Sequence, residues 1–186
     1  YLSVGSPGAA RSALTVGATD DADRIAPFSS RGPTHAPYLT KPDLVAPGVD
    51  IVSTLPGNAT GVLSGTSMAA PYVAGTAALL LERRPGLTPE ILKGLLVQST
   101  VDLDLDVWTQ GAGRLDLAAA LAGDVAVTPS SLSIGQVAAE DGHWTKDETL
   151  TLQNLGTSEQ TFELSIDGLA APGLSAIVTP GLLYHD

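Results

Sequence analysis

The segment Gly65-Thr66-Ser67-Met68-Ala69-Ala70-Pro71-Tyr72-Val73-Ala74-Gly75 sets one serine at the mouth of a helix built from small residues. A serine hydroxyl attacks a carbonyl well only when a base removes its proton and nearby donors receive the charge that develops on oxygen. The segment meets the second condition. Gly65 lets the backbone turn tightly and approach a substrate. A helix starting at Thr66 or Ser67 aims unpaired N–H groups and the positive end of its dipole at the serine's surroundings. Ser67 is therefore the candidate nucleophile, and Thr66 lines the same site. Pro71 is expected within the first turn or so, where a missing N–H costs little. Ala69, Ala70, Ala74, Gly75, Ala77 and Ala78 permit close packing, so the helix is expected to be buried. The competing reading makes Ser67 a helix N-cap, the usual role of a serine at a helix start.

The pattern Gly-Thr-Ser-Met-Ala-x-Pro-x-Val-Ala-Gly resembles the nucleophile segment of the subtilisin-like serine proteases (subtilases, the S8 peptidases) and is matched throughout. The resemblance extends backwards through Thr15-Val16-Gly17-Ala18, Phe28-Ser29-Ser30-Arg31-Gly32-Pro33, Lys41-Pro42-Asp43-Leu44-Val45-Ala46-Pro47-Gly48-Val49 and Ile51-Val52-Ser53-Thr54. It runs forward through Gly111-Ala112-Gly113-Arg114-Leu115-Asp116. These blocks occur in family order at plausible spacing and cover about two-thirds of the chain. The resemblance implies a serine endopeptidase with polypeptide substrates, secreted from the cell. No cofactor enters its chemistry, and a structural calcium is allowed in a longer parent although nothing here fixes a site. It also implies that Ser6-Pro7-Gly8 is the loop beside the pocket for the side chain preceding the scissile bond, with Gly5 at the pocket floor. A glycine there leaves the floor open to large apolar side chains.

In subtilases the chain order is Asp, then His, then Ser. The family's His-Gly-Thr, Asp-Ser/Thr-Gly and oxyanion Gly-Asn contexts have no match in residues 1–186. The chain is therefore expected to be the C-terminal portion of a longer catalytic domain, starting just after the oxyanion Asn, and to be inactive by itself. His35 is the only histidine in the protease-like portion, but it lies in the Pro/Gly-rich stretch Arg31-Gly32-Pro33-Thr34-His35-Ala36-Pro37, which reads as a surface loop. His143 and His185 fall in a strand-like region downstream, no better placed to serve as a base.

The composition, 44% hydrophobic with 16% charged residues, is rich enough for a sizeable core in 186 residues. No cysteine is present, so thiols say nothing of the redox compartment, and no apolar run is long enough to cross a bilayer. The net charge of −11 disfavours nucleic acid and anionic membranes as partners. Residues 124–186 hold nine of the twenty acidic groups but one of the nine basic ones, and this charge step near Gly123 supports a domain boundary there.

Upstream of the serine, Ala13-Leu14-Thr15-Val16, Leu44-Val45-Ala46 and Ile51-Val52 alternate with turn residues and read as strands. Downstream, Arg83 and Arg84 favour the end of the serine helix before Pro85 and Gly86. Thr88-Pro89-Glu90 starts a second helix whose stripe Ile91, Leu92, Leu95 and Leu96 is expected to cover the sheet. Asp102, Asp104 and Asp106 alternate with apolar residues. A helix-loop-helix calcium loop fails there because Val107 stands for the required Gly and Gly113 for the bidentate Glu, so a half-buried strand or extended edge is expected. Gly111-Ala112-Gly113 lacks the third glycine of a dinucleotide fingerprint and reads as a tight turn before a short helix, Leu115 to Leu121.

Beyond Gly123 the runs Val125-Ala126-Val127, Leu132-Ser133-Ile134, Leu150-Thr151-Leu152 and Phe162-Glu163-Leu164-Ser165-Ile166 have period two. This is the grammar of an antiparallel sandwich, and after a subtilase domain it resembles a fibronectin-III-like module. The expected architecture is the C-terminal part of a subtilisin-like three-layer α/β/α domain with a mostly parallel sheet over residues 1–123. A partial all-β sandwich then occupies residues 124–186. Two other functions remain open. An α/β-hydrolase esterase would explain Gly65-Thr66-Ser67-Met68-Ala69, one residue away from a Gly-x-Ser-x-Gly elbow, but would need further βα units downstream. A pseudoprotease or adhesion module would keep the fold for binding alone.

Overall fold

The computed structural model describes residues 1–134, 144–166 and 176–178. Two parallel strands, β1 (Val16–Thr19) and β2 (Leu44–Pro47), pair from Val16 with Leu44 to Thr19 with Pro47. Both are short, apolar and buried on both faces, as parallel strands are. A hairpin follows, β3 (Ile51–Leu55) against β4 (Ala59–Leu63), with Gly57 and Asn58 taking the positive φ values of its turn. The serine helix α1 (Thr66–Arg83) leads to α2 (Pro89–Gln98), β5 (Thr100–Val101), α3 (Val107–Gln110), β6 (Arg114–Leu115) and α4 (Leu117–Ala122). Finally β7 (Val125–Thr128) pairs antiparallel with β8 (Thr151–Asn154). The central sheet has the order β1-β2-β6-β5, parallel except for β5.

The core forms where α1 lies on β1 and β2. Ala69, Val73, Thr76 and Leu80, spaced four, three and four apart, face Ala18, Leu44 and Ala46. Leu95, Leu96, Leu115, Ala120 and Ala126 extend it, so β7 packs onto α2 and the first compact unit runs from Tyr1 to Leu155. In the second unit, Gly156–Asp186, the described residues form no helix or strand.

Several expectations change. Only one stripe of α1 is buried, and Tyr72, Leu79 and Leu81 on its other faces are exposed. Pro71 is the sixth helical residue rather than part of the first turn, so the carbonyl of Ser67 loses its i+4 donor. Thr88 caps α2 through Ile91 N–H as expected, but α2 packs chiefly against β7 rather than covering the central sheet. Arg83 lies in the last turn of α1 and Arg84 is its C-cap, as expected, while the Arg84 guanidinium also reaches the Gly123 carbonyl at 2.7 Å and Asp124 at 2.5 Å. The tight turn at Gly111 and Gly113 exists, with both φ values positive, but β6 follows it and α4 starts only at Leu117, capped by Asp116. Among the described residues, the period-two runs beyond Gly123 yield one antiparallel pair, β7 and β8. Leu132–Ile134 and Phe162–Ile166 are not strands.

The Asp102-Asp104-Asp106 stretch is not a strand either, because its carboxylates take up local backbone donors. Asp102 accepts from Asp104 N–H at 2.9 Å and Gln110 Nε2 at 2.7 Å, while Asp106 caps α3 through Trp108 N–H at 3.0 Å. The Gln110 bond, then the Asp104 N–H, holds Asp102 below the ordinary carboxylate range. Burial pushes Asp106 up, but hydrogen bonds from Thr109 Oγ1, Tyr1 OH and backbone N–H groups outweigh it and bring it below that range. A depressed folded-state pKa stabilises the fold above the unfolded value near ~3.9, and that contribution is lost as pH falls through the folded one. Asp106→Ala is expected to cost about 1 kcal/mol as a lost cap and to flatten the acid limb of the stability curve. Urea titrations at neutral pH and near pH 3 check both; an unchanged midpoint at neutral pH would refute the capping role.

Candidate active site

The nucleophile segment is anchored from beneath by backbone. Gly48 N–H donates to Thr19 O at 2.9 Å at the end of β1, and Gly65 N–H donates to Gly48 O at 2.7 Å. A Cβ at Gly48 would stand 2.8 Å from Gly65 O and 2.9 Å from Ala18 Cβ, so only glycine allows the helix start to lie this close to the sheet. Ser64 Oγ bridges to Asp50 N–H at 2.8 Å and Asp50 Oδ1 at 3.1 Å, tying the two ends of the β3–β4 hairpin together below the helix.

Gly65 is the N-cap residue and offers no side chain to the first turn. Ser67 is thus the second helical residue, which removes the N-cap reading. The backbone N–H groups of Thr66 and Ser67 have no acceptor among the described residues, and Ser67 Oγ makes no hydrogen bond there. Ser67 is exposed at the mouth of a cleft of about 350 Å³, whose lining includes Gly5, Gly8, Thr15, Thr66 and Ala70. The structure therefore brings Gly5 and Thr66 together with Ser67. A Cβ added at Gly5 would meet nothing within 4 Å.

His35 is exposed on its loop and does not line this cleft, whereas His143 and His185 lie outside the described residues. Among the described residues no three His, Cys, Asp or Glu side chains come together as a metal site. No helix among them is long and apolar enough to cross a membrane. A larger groove, about 820 Å³, runs past Tyr38, Pro42, Trp108 and Leu132. Asp43 on its wall is paired with Lys41 and Lys93.

That cluster is what the sequence reading missed. Lys41 and Asp43 are buried, and Lys41 Nζ lies 2.6 Å from Asp43 Oδ2; Lys93 of α2 lies 2.8 Å from Oδ1. Burial pushes the Lys41 ammonium below the ordinary lysine range despite the carboxylate beside it. The available signal was Lys41-Pro42-Asp43, two opposite charges leading into a buried apolar strand, where charges persist only when paired.

A parallel-centred sheet, a small-residue helix packed on it and a serine with free N–H groups at the helix mouth are features of the subtilisin-type fold. The Peptidase S8 subtilase family model matches residues 1–142, and the chain belongs to this family. It is 35% identical over 174 residues to the minor extracellular protease Vpr of Bacillus subtilis, covering 85% of this chain and 22% of Vpr. It is 39% identical over 117 residues to a subtilisin of Bacillus pumilus, covering 63% of this chain and 40% of that protein. The structure of the Clostridium perfringens CspB protease superimposes with a TM-score of 0.60 at 33% identity, covering 64% of this chain and 28% of that one. The chain thus spans well under half the length of these relatives.

Proposed function

We propose that Ser67 is the nucleophile of a subtilisin-type serine endopeptidase and acts with an Asp, a His and an Asn borne on the remainder of a complete catalytic domain. The observation that carries this reading is the exposed Ser67, with unengaged Oγ and N–H, in one cleft with Thr66 and Gly5. Ser67 Oγ attacks the scissile carbonyl as the His, oriented by the Asp, takes its proton. The Ser67 N–H and the Asn donate to the oxyanion, and Thr66 lines the site. The imidazolium returns that proton to the leaving amine as the C–N bond breaks, which leaves an ester at Ser67; water then cleaves the ester with the same His as base, and no cofactor takes part. Residues 1–186 alone lack the base and are inactive on peptides. The substrates are polypeptides, not nucleic acid, and the family membership together with the extracellular relative Vpr supports secretion. Residues 124–186 begin a fibronectin-III-like module after a catalytic portion ending near Gly123, with β7 and β8 as its first pair.

The test is intact-mass analysis of the complete domain after fluorophosphonate treatment, in which one adduct is expected and should vanish in Ser67→Ala. No adduct on a folded domain would favour a pseudoprotease that binds polypeptide without cleaving it. The role of Gly5 predicts specificity. Gly5→Asp places a charge on an open apolar floor, and kcat/KM for large apolar side chains before the scissile bond should fall roughly tenfold or more relative to small ones. Competition between paired peptide substrates measures the ratio, and an unchanged ratio would remove Gly5 from the pocket.

A further inference from the structure

The buried cluster reaches the cleft through one residue. Thr15 precedes β1, and all three of its polar atoms are engaged. Its N–H donates to Asp43 Oδ2 at 2.7 Å, its carbonyl accepts from Asp43 N–H at 2.8 Å, and its Oγ1 donates to Gly8 O at 2.6 Å. Gly8 closes a turn over Gly5, with Ala9 N–H donating to Gly5 O at 2.9 Å, and it packs so tightly that a Cβ there would lie 3.1 Å from Thr15 Cγ2. The strand lead-in is held from the other side as well: Lys41 Nζ and Lys93 Nζ both donate to Ala13 O, at 2.7 and 3.0 Å. Lys41-Asp43, α2 and residues 13–15 are thus fastened at one carboxylate and one carbonyl, and one hydroxyl, Thr15 Oγ1, joins the Gly8 end of the loop to that fastening.

We propose that Lys41, Asp43 and Lys93 are positioning residues that act through Thr15 to hold the Gly5–Gly8 loop, and thereby set how the cleft beside Ser67 grips a substrate side chain. The proposal rests on the reading of that cleft as a peptide site. On its N-terminal side the loop is held by buried Val4 and by Ser3, which bonds Arg31; residues 5–7 are exposed and Ala9 N–H and Ala10 N–H close only on Gly5 O and Pro7 O, so the Thr15 hydroxyl is the tie on the other side. A short turn with few buried contacts opens locally at low cost unless it is tied to something rigid. A carboxylate whose Oδ2 accepts from the Lys41 ammonium and the Thr15 N–H, with the Lys93 ammonium 2.8 Å from Oδ1 as an ion pair, is such an anchor, since charge-assisted hydrogen bonds are short and strong.

Two measurements test it. In residues 1–186, amide exchange of residues 8–15 should quicken about tenfold in Lys93→Met and in Thr15→Val, while Val45 and Ala46 of β2 keep their protection. Protection lost evenly across β2 and this segment, or no change in it, would overturn the proposal. In the complete catalytic domain, Lys93→Met should raise KM for peptides with a large apolar side chain before the scissile bond about fivefold, with kcat and the rate of fluorophosphonate labelling unchanged. Lys93→Arg, which keeps the cation, should restore KM. A kcat that falls with KM unmoved would refute a positioning role, whereas a wild-type domain that fails to label refutes the nucleophile assignment and leaves the exchange experiment to decide this one.

Discussion

Ser67→Ala in the complete catalytic domain should lower kcat for peptide hydrolysis by roughly 10⁶-fold, leaving KM and the folded structure nearly unchanged. The size follows from what the hydroxyl does. Covalent catalysis is lost outright, and what remains is the stabilisation that N–H groups at the helix mouth give to attack by water, worth roughly 10³–10⁴-fold over the uncatalysed reaction. The substitution is structurally mild because Ser67 is exposed, its Oγ holds no described residue, and alanine is the best helix former at the second helical position. Thermal denaturation should therefore be superimposable, and the fluorophosphonate adduct absent. A variant that kept more than a few per cent of wild-type turnover would show that another group attacks the carbonyl.

The nucleophile segment was legible because its chemistry is local: a glycine, a serine and a helix start within a few residues need no partner to be recognised. The same holds for Thr88 and Pro89, whose cap and ring fix the start of α2 from three neighbouring residues. Exposure was not legible. α1 is apolar on every side, and sequence cannot tell which faces find partners. Among the described residues only the Ala69-Val73-Thr76-Leu80 face does. Asp102 and Asp106 show a second limit: alternation with Val and Leu mimics a strand, yet each carboxylate can satisfy its own backbone two residues on, and here the turn and cap won. The Lys41–Asp43–Lys93 cluster shows a third, since Lys93 lies fifty residues beyond Asp43 and only the fold brings its ammonium to 2.8 Å.

Asp43→Ala should destabilise the fold by roughly 3–5 kcal/mol, the cost of removing one partner from a buried ion pair. Its carboxylate is buried, so the substitution leaves the Lys41 ammonium, 2% exposed, in a low-dielectric site with only the Ala13 carbonyl to solvate it. The Thr15 N–H also loses its acceptor. Lys93 suffers less, because its side chain retains 18% exposure and can turn to solvent. The defect should therefore be traceable to Lys41. Lys41→Met/Asp43→Asn keeps an oxygen for Thr15 and removes the stranded charge, so most of the lost stability should return even though both charges of the pair are gone. The pH dependence gives an independent check. Lys41 already titrates below the ordinary lysine range, so its burial penalty is full below its folded pKa and disappears as pH rises toward the unfolded value near ~10.4. Without Asp43 the folded value falls further, and the gap between wild type and Asp43→Ala should narrow as pH is raised from neutral to alkaline. Urea midpoints across that range decide it. A loss under about 1 kcal/mol at neutral pH, or a gap that widens with pH, would mean the two lysines are not held by this carboxylate.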